Sequence, residues 1–156
     1  MGQSNFSSPT IGVGVVVKDL QAAKHFYIDI IGMEETGGFS LDEDFTRRSG
    51  LSGGVPFSVS ILKLEDSPQA TEWKLMTFPD LKTKKKKKRK TPFIQDQVGA
   101  QYITIRVNDL QPILKKIQEE GVLLLGRTPI HLQGEDHFVL VQDPDGTFVE
   151  LIGPIK

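Results

Sequence analysis

The chain has 156 residues, a length that suits one domain with a sizeable hydrophobic core. It contains no cysteine, which excludes a disulfide-rich secreted scaffold and a cysteine-ligated zinc site. Residues 82–90 contain eight of the 19 basic residues. The rest of the chain has 11 basic and 20 acidic residues, a net charge of -9. The overall net charge of -1 therefore combines a basic segment with an acidic body.

The start of the chain, residues 1–9, predicts a flexible tail. It has no basic region followed by an apolar run, as a signal peptide would, and no later stretch has membrane-spanning length. We therefore expect no membrane partner and a cytoplasmic location, or a nuclear one in a eukaryote.

The first predicted module, residues 10–80, begins with the strand-like stretch GVGVVVKDL. Asp19 is placed to cap a helix whose apolar residues share one face until Gly32 ends it. The stretch LDEDFTRRSGLSGG predicts a loop with a short helical turn. One strand is predicted before that loop, at residues 33–40, and two are predicted after it, at residues 56–64 and 72–78.

The connection between modules is predicted at residues 81–98 and contains the run KTKKKKKRK. Repulsion among its cations predicts a solvated loop. The run is a candidate site for weak, salt-sensitive binding of polyanions, and the alternative is a surface loop without a role of its own. The candidate polyanion-binding residues are Lys84, Lys85, Lys86, Lys87, Lys88 and Arg89.

The second predicted module, residues 99–156, repeats the first, because YITIRVNDL at 102–110 matches GVGVVVKDL at 12–20. Asp109 is placed to cap its helix. Strands are predicted at residues 122–130, 137–142 and 147–152. Each half therefore reads β-α-β-β-β, which predicts an α+β protein.

Strand alternation predicts which side chains share a face. An aliphatic row is expected to pack beneath the helix of the second module: Ile103, Ile105 and Val107. The opposite row is polar, which favours a cavity over a dry core: Tyr102, Thr104 and Arg106. A three-residue turn within DPDG places four further side chains on this polar face: Phe138, Leu140, Phe148 and Glu150. A two-residue turn would instead place them on the opposite face.

Several stretches carry a resemblance to a known family: VGVVVKDLQAAKHFYIDIIGM at 13–33, GLSGG at 50–54 and DPDGTFVEL at 143–151. With the paired modules, they resemble the vicinal oxygen chelate superfamily, which includes glyoxalase I, bleomycin-resistance proteins, methylmalonyl-CoA epimerases and extradiol dioxygenases. The resemblance covers nearly the whole chain outside the lysine-rich loop. It implies two βαβββ modules that form a half-open, barrel-like sheet with helices outside, and it implies a homodimer.

In metal-binding members, the resemblance implies a metal ligand on the first strand and another on the last strand of each module. The corresponding residues here are Gly12, Lys74, Tyr102 and Glu150, of which only Glu150 is a usual ligand. The three histidines are expected to be surface or packing residues: His25 on a helix, His131 in a loop and His137 on the outer face. We therefore predict no metal site and no other cofactor.

If the positions that hold metal in such members face each other here, Lys74 replaces the metal as the counter-charge of Glu150. The pair then either replaces the metal structurally or forms a recognition site. In a recognition site, Lys74 and Arg106 hold an anionic or carbonyl group, and Glu150 is a candidate catalytic base. Other predicted ligand-binding residues are Tyr102, Thr104, Phe138, Leu140 and Phe148.

The sequence is compatible with three functions. The leading hypothesis is a glyoxalase/bleomycin-resistance-like protein that binds a small organic ligand in the barrel cavity without a divalent metal. The alternatives are a metal-independent isomerase or lyase that acts next to a carbonyl, and an interaction protein that uses the lysine-rich loop. The sequence leaves open whether the chain is an enzyme.

Overall fold

The computed structural model describes residues 5–81 and 93–156. These residues form two compact units, one in each described range, and each unit contains one open four-stranded mixed sheet. The predicted α+β fold of two β-α-β-β-β modules is confirmed. The lysine-rich run at residues 84–89 lies outside the described residues, so polyanion binding stays a prediction.

The sheet of the first unit has the strand order β1-β4-β3-β2. Strand β1 is parallel to β4, and the other neighbours are antiparallel. The elements in chain order are β1 (Gly12–Val16), α1 (Leu20–Lys24), β2 (Glu34–Leu41), α2 (Glu43–Ser49), β3 (Phe57–Lys63) and β4 (Glu72–Thr77).

Helix α1 begins where the sequence predicts. The carboxylate of Asp19 accepts hydrogen bonds from the N–H groups of Gln21 and Ala22, at 2.9 and 3.0 Å. The helix continues as a π-helical segment, His25–Ile30. Its apolar side chains join one side of the sheet in the core of this unit, and the rings of Tyr27 and Trp73 lie 5.7 Å apart. Core residues of this unit include Val17, Ala23, Phe26, Ile30, Leu62 and Leu75.

Helix α2 occupies much of the stretch for which the sequence predicts a loop with a short helical turn. The Asp42 carboxylate caps it by accepting from the Phe45 N–H at 2.8 Å, and Gly50 follows its end with a φ of 76°. Ion pairs one turn apart, including Asp44 with Arg48 at 3.0 Å, support it. The cap and the terminal glycine are signals that the sequence already contains.

The sheet of the second unit has the order β5-β8-β7-β6, with β5 parallel to β8. The predicted strand at residues 122–130 is wrong except at its end. Gly126 has a φ of 63°, and Pro129 has no N–H to donate to a β-ladder. The chain therefore runs irregularly until it pairs with β7 at Ile130. The elements are β5 (Tyr102–Arg106), α3 (Gln111–Glu119), β6 (Ile130–His131), β7 (Asp136–Gln142) and β8 (Phe148–Pro154).

The turn between β7 and β8 sets the register of this sheet. The Asp143 N–H donates to the Thr147 carbonyl at 2.9 Å, and Gly146 has a φ of 94°, as the predicted three-residue turn requires. The buried Asp143 carboxylate also accepts from the N–H groups of Asp145 and Thr147. This register places Leu140 opposite Glu150 and confirms the predicted division of faces.

At the start of α3, the Asp109 carboxylate accepts from the N–H of Gln111 at 2.9 Å. The N-cap position itself is held by Leu110, which makes no side-chain cap hydrogen bond, so the predicted contribution of Asp109 comes from one residue earlier. The aliphatic side of the sheet and the inner face of α3 supply the core of this unit. Its buried residues include Ile105, Leu110, Ile113, Ile117, Val139, Val141, Val149 and Leu151.

Candidate functional site

One face of the second sheet carries all but one of the ligand-binding and catalytic residues predicted from the sequence. Cross-strand register aligns Tyr102 with Phe148 and Thr104 with Glu150, and Glu150 with Leu140 on the other side. Because paired residues share a face, these side chains form one surface, which we call the open face. It consists of Tyr102, Thr104, Arg106, Phe138, Leu140, Phe148 and Glu150.

Exposure along the open face is uneven. Tyr102 is 49% exposed, whereas Phe148 is 1% exposed and therefore offers a ligand almost no surface. Phe138 and Leu140 are half-buried. Further half-buried side chains share the face by register but were not among the predicted site residues: Asp136, Gln142, Ile152 and Pro154. Strand alternation through β7 and β8 is the signal that identifies them.

A hydrogen-bonded carboxylate lies in the middle of the open face. Thr104 Oγ1 donates to Glu150 Oε2 at 2.6 Å, a length typical of a hydroxyl bonded to a charged acceptor. Glu150 is half-buried, and Leu140 lies directly across the ladder from it. Within the described part of its own unit, Glu150 has no cation in ion-pair contact. The open face therefore presents the Glu150 carboxylate beside apolar side chains, with the charged pair Arg106 and Asp136 also on this face.

Arg106 lies at the margin of this face. Its side chain is 73% exposed, and its Nη1 is 4.0 Å from Asp136 Oδ2. At that distance and exposure the pair is weak, so the guanidinium stays largely hydrated.

Lys74, the remaining predicted site residue, belongs to the first unit. Its ammonium forms an ion pair with Glu72 in the same strand, Nζ to Oε2 2.9 Å, with side chains 30% and 36% exposed. The end of this lysine lies beside Gly12: a Cβ added to Gly12 would be 3.0 Å from Lys74 Nζ and 3.2 Å from its Cε. Lys74 thus fills space that a side chain at position 12 would need. Its predicted pairing with Glu150 stays a prediction.

The residues at the metal-ligand positions implied by the resemblance do not fit a divalent metal. In the first unit, Gly12 has no side chain, and the Lys74 ammonium that fills its space has no lone pair. In the second unit, the same positions supply one carboxylate and a phenol, fewer donors than a catalytic metal normally has. Across residues 5–81 and 93–156, no group of three or more histidine, aspartate or glutamate side chains could hold an ion.

The histidines are placed partly as predicted. His25 contacts Asp29 on the helical segment, Nδ1 to Oδ2 2.8 Å. His137 lies on the face opposite Phe138, as expected from the turn. His131 was predicted in a loop, but it lies in β6 directly opposite His137, because the chain re-enters the sheet for two residues there.

The first unit also contains a small cavity that the sequence did not predict. It has a volume of about 260 Å³ and lies where β2 and β4 end and β3 begins. Its walls are apolar and hydroxyl side chains without a titratable group: Ser40, Leu41, Pro56, Phe57, Ser58, Thr77, Phe78 and Pro79.

In the described segments, no helix is both long and apolar enough to cross a bilayer.

Comparison with known proteins identifies similar sequences and folds. Residues 11–151 match the family model of the Glyoxalase/Bleomycin resistance protein/Dioxygenase superfamily. No curated protein matches the chain. Solved structures of similar fold include a glyoxalase family protein from Bacillus cereus, with a TM-score of 0.77 and 18% identity over 100% of this chain and 99% of that one.

Two further structures extend the comparison. The trypanothione-dependent glyoxalase I of Leishmania major has a TM-score of 0.62 and 17% identity over 94% of this chain and 87% of that one. The antibiotic-binding protein TnmS3 from Streptomyces sp. CB03234 has a TM-score of 0.61 and 18% identity over 97% of this chain and 99% of that one. At these identities the likeness concerns the fold.

Proposed function

Because the chain belongs to the Glyoxalase/Bleomycin resistance protein/Dioxygenase superfamily, we propose that it binds a small organic molecule on the open face, without a divalent metal. The observation that carries this proposal is the Thr104–Glu150 pair, a single hydrogen-bonded carboxylate among apolar side chains. Ligand sites commonly combine an apolar lining with a few polar groups that orient the ligand. An antibiotic-binding protein among the similar folds supports the same class of function.

The charge of the site favours a ligand with a protonated amine or another organic cation. Glu150 is half-buried and already accepts one hydrogen bond from Thr104, which leaves further lone pairs for a donor on the ligand. Aromatic rings on the same face, Tyr102 and Phe138, add surfaces that attract cations. The acidic body of the chain strengthens this preference over longer distances.

Arg106 does not reverse this preference. Its guanidinium is mostly in water and lies near Asp136, so it adds little fixed positive potential at Glu150. An anionic ligand would instead be repelled by the Glu150 carboxylate, which has no ion-pair partner within the described part of its unit.

A thermal-shift screen with matched cationic, neutral and anionic organic molecules tests the proposal. A ligand present at 100 times its dissociation constant adds about 2.7 kcal/mol to stability, a shift of roughly 5 to 10 °C for a chain of this size. Glu150→Gln should weaken a cationic hit about tenfold or more. Glu119→Gln removes the same charge from an exposed site on α3 and should leave binding unchanged.

Two results would count against this proposal: hits confined to anionic molecules, or equal effects of Glu150→Gln and Glu119→Gln on a cationic hit. The alternative of a metal-independent isomerase or lyase has a distinct signature. The bound hit would be converted on incubation, and Glu150→Gln would abolish conversion while the fold is retained. A homodimer remains a proposal too, and sedimentation across a concentration series measures it directly.

A further inference from the structure

Two histidines lie side by side on the face of the second sheet opposite the open face. His131 in β6 and His137 in β7 are directly opposed in the antiparallel ladder, and their ring centroids are 5.3 Å apart with an interplanar angle of 75°. His131 is exposed and His137 half-buried, so solvent reaches the pair. The proposed ligand site uses neither ring.

Each ring is oriented by a hydrogen bond to a backbone carbonyl. His131 Nε2 is 2.8 Å from the Gly134 oxygen, and His137 Nδ1 is 3.1 Å from the Glu135 oxygen. A carbonyl oxygen only accepts, so these two nitrogens carry the hydrogen. In the neutral rings, the lone pairs therefore lie on His131 Nδ1 and His137 Nε2. Carbonyl-bound imidazoles of this kind are typical of metal-binding histidines.

The separation of the rings suits a shared ion. Two imidazoles bound at about 2.0–2.1 Å to one ion have ring centroids roughly 4.5 Å apart at a square-planar angle and roughly 5 Å apart at a tetrahedral angle. The observed 5.3 Å is close to the tetrahedral value and somewhat longer than the square-planar one. The connecting turn is itself held by a hydrogen bond from the Leu132 N–H to the Asp136 carbonyl at 2.8 Å, so the two rings are brought together by the ladder before any ion binds.

We propose that His131 and His137 form a two-imidazole site for a borderline divalent transition metal, with water in the remaining positions. Imidazole nitrogen suits copper, nickel and zinc, and Cu²⁺ binds such donors most tightly of these. A bound ion would tie β6, an edge strand of two residues, to β7. This site is separate from the positions that the family resemblance implies, which lie on the open face and in the first unit.

Titration of the full chain with Cu²⁺ in a non-coordinating buffer tests the proposal, with electron paramagnetic resonance as the readout. The expected spectrum shows coordination by two imidazole nitrogens. His131→Gln and His137→Gln should each remove that two-nitrogen signal and weaken binding about tenfold or more. His25→Gln is the matched control, because it removes the third histidine from a helical segment of the other unit. Circular dichroism shows whether each variant is folded.

Glu150→Gln separates this site from a metal on the open face and should leave Cu²⁺ binding unchanged. The proposal is overturned if the wild-type chain binds no Cu²⁺ at millimolar concentration, or if the two-nitrogen signal survives either substitution in the β6–β7 pair. It is equally overturned if His25→Gln or Glu150→Gln abolishes the signal.

Discussion

Replacing Gly153 with alanine should force β8 away from the segment that follows β5. Gly153 is buried in β8, and a Cβ added there would overlap the carbonyl oxygen of Val107. It would also lie 2.9 Å from Val107 Cγ2 and 3.1 Å from the Val107 carbonyl carbon. The obstacle is mainly backbone, so a change of side-chain rotamer cannot remove it.

The expected cost is about 3 kcal/mol or more. Overpacking a well-packed site typically costs about 1–3 kcal/mol, and an obstacle in the backbone favours the upper end. The displacement would also weaken the adjacent hydrogen bond from the Val107 N–H to the Ile152 carbonyl, 2.9 Å, which is worth about 1 kcal/mol. Native domains are stable by only about 5–15 kcal/mol, so the loss should be obvious.

Urea denaturation followed by circular dichroism measures this loss as a lower midpoint at unchanged slope. Gly37→Ala is the matched control: a Cβ at Gly37 would meet no described atom within 4 Å, and its φ is not positive. That substitution should stabilise the folded protein by up to about 1 kcal/mol, because alanine reduces the conformational entropy of the unfolded chain. Equal midpoints for Gly153→Ala and Gly37→Ala would refute the close approach of Val107 to β8.

The same substitution should affect ligand binding. Thr104 and Glu150, which lie on the two strands that Gly153→Ala separates, are held at 2.6 Å. Once that hydrogen bond lengthens, the orientation of the carboxylate is lost. Binding of a cationic ligand should therefore weaken in Gly153→Ala even at temperatures where the variant is fully folded, whereas Gly37→Ala should bind normally.

Two further substitutions test the local chemistry. Asp143→Ala should cost about 1.5–3 kcal/mol, because the buried carboxylate accepts from the Thr147 N–H at 2.8 Å; an unchanged melting temperature would contradict its role in the turn. Lys74→Met should cost at most about 1 kcal/mol, because its pair with Glu72 is partly exposed. A loss of about 3–5 kcal/mol in denaturant titration would instead indicate that Lys74 balances a buried carboxylate, as the sequence predicts for Glu150.

Local patterns account for most of what was predicted correctly. Alternation along β5, β7 and β8 identified the buried and open faces, and the turn chemistry around Gly146 selected the register. The cap at Asp19 was likewise readable, because its carboxylate acts on N–H groups two and three residues away. The errors also concern signals within a few residues of each other. The length of α2 was underestimated despite its capping signals, and residues 122–130 were predicted as a strand although Gly126 and Pro129 interrupt them.

By itself, the amino-acid sequence determined the two β-α-β-β-β modules, the family and the faces of the strands, because those features depend on side-chain period and on contacts within a few residues. Only the tertiary structure decided which groups meet across strands: Lys74 with Gly12, Thr104 with Glu150, and His131 with His137. These contacts depend on which strands become neighbours and in what register. A hydrogen bond across 46 positions of chain exists only after the sheet has formed.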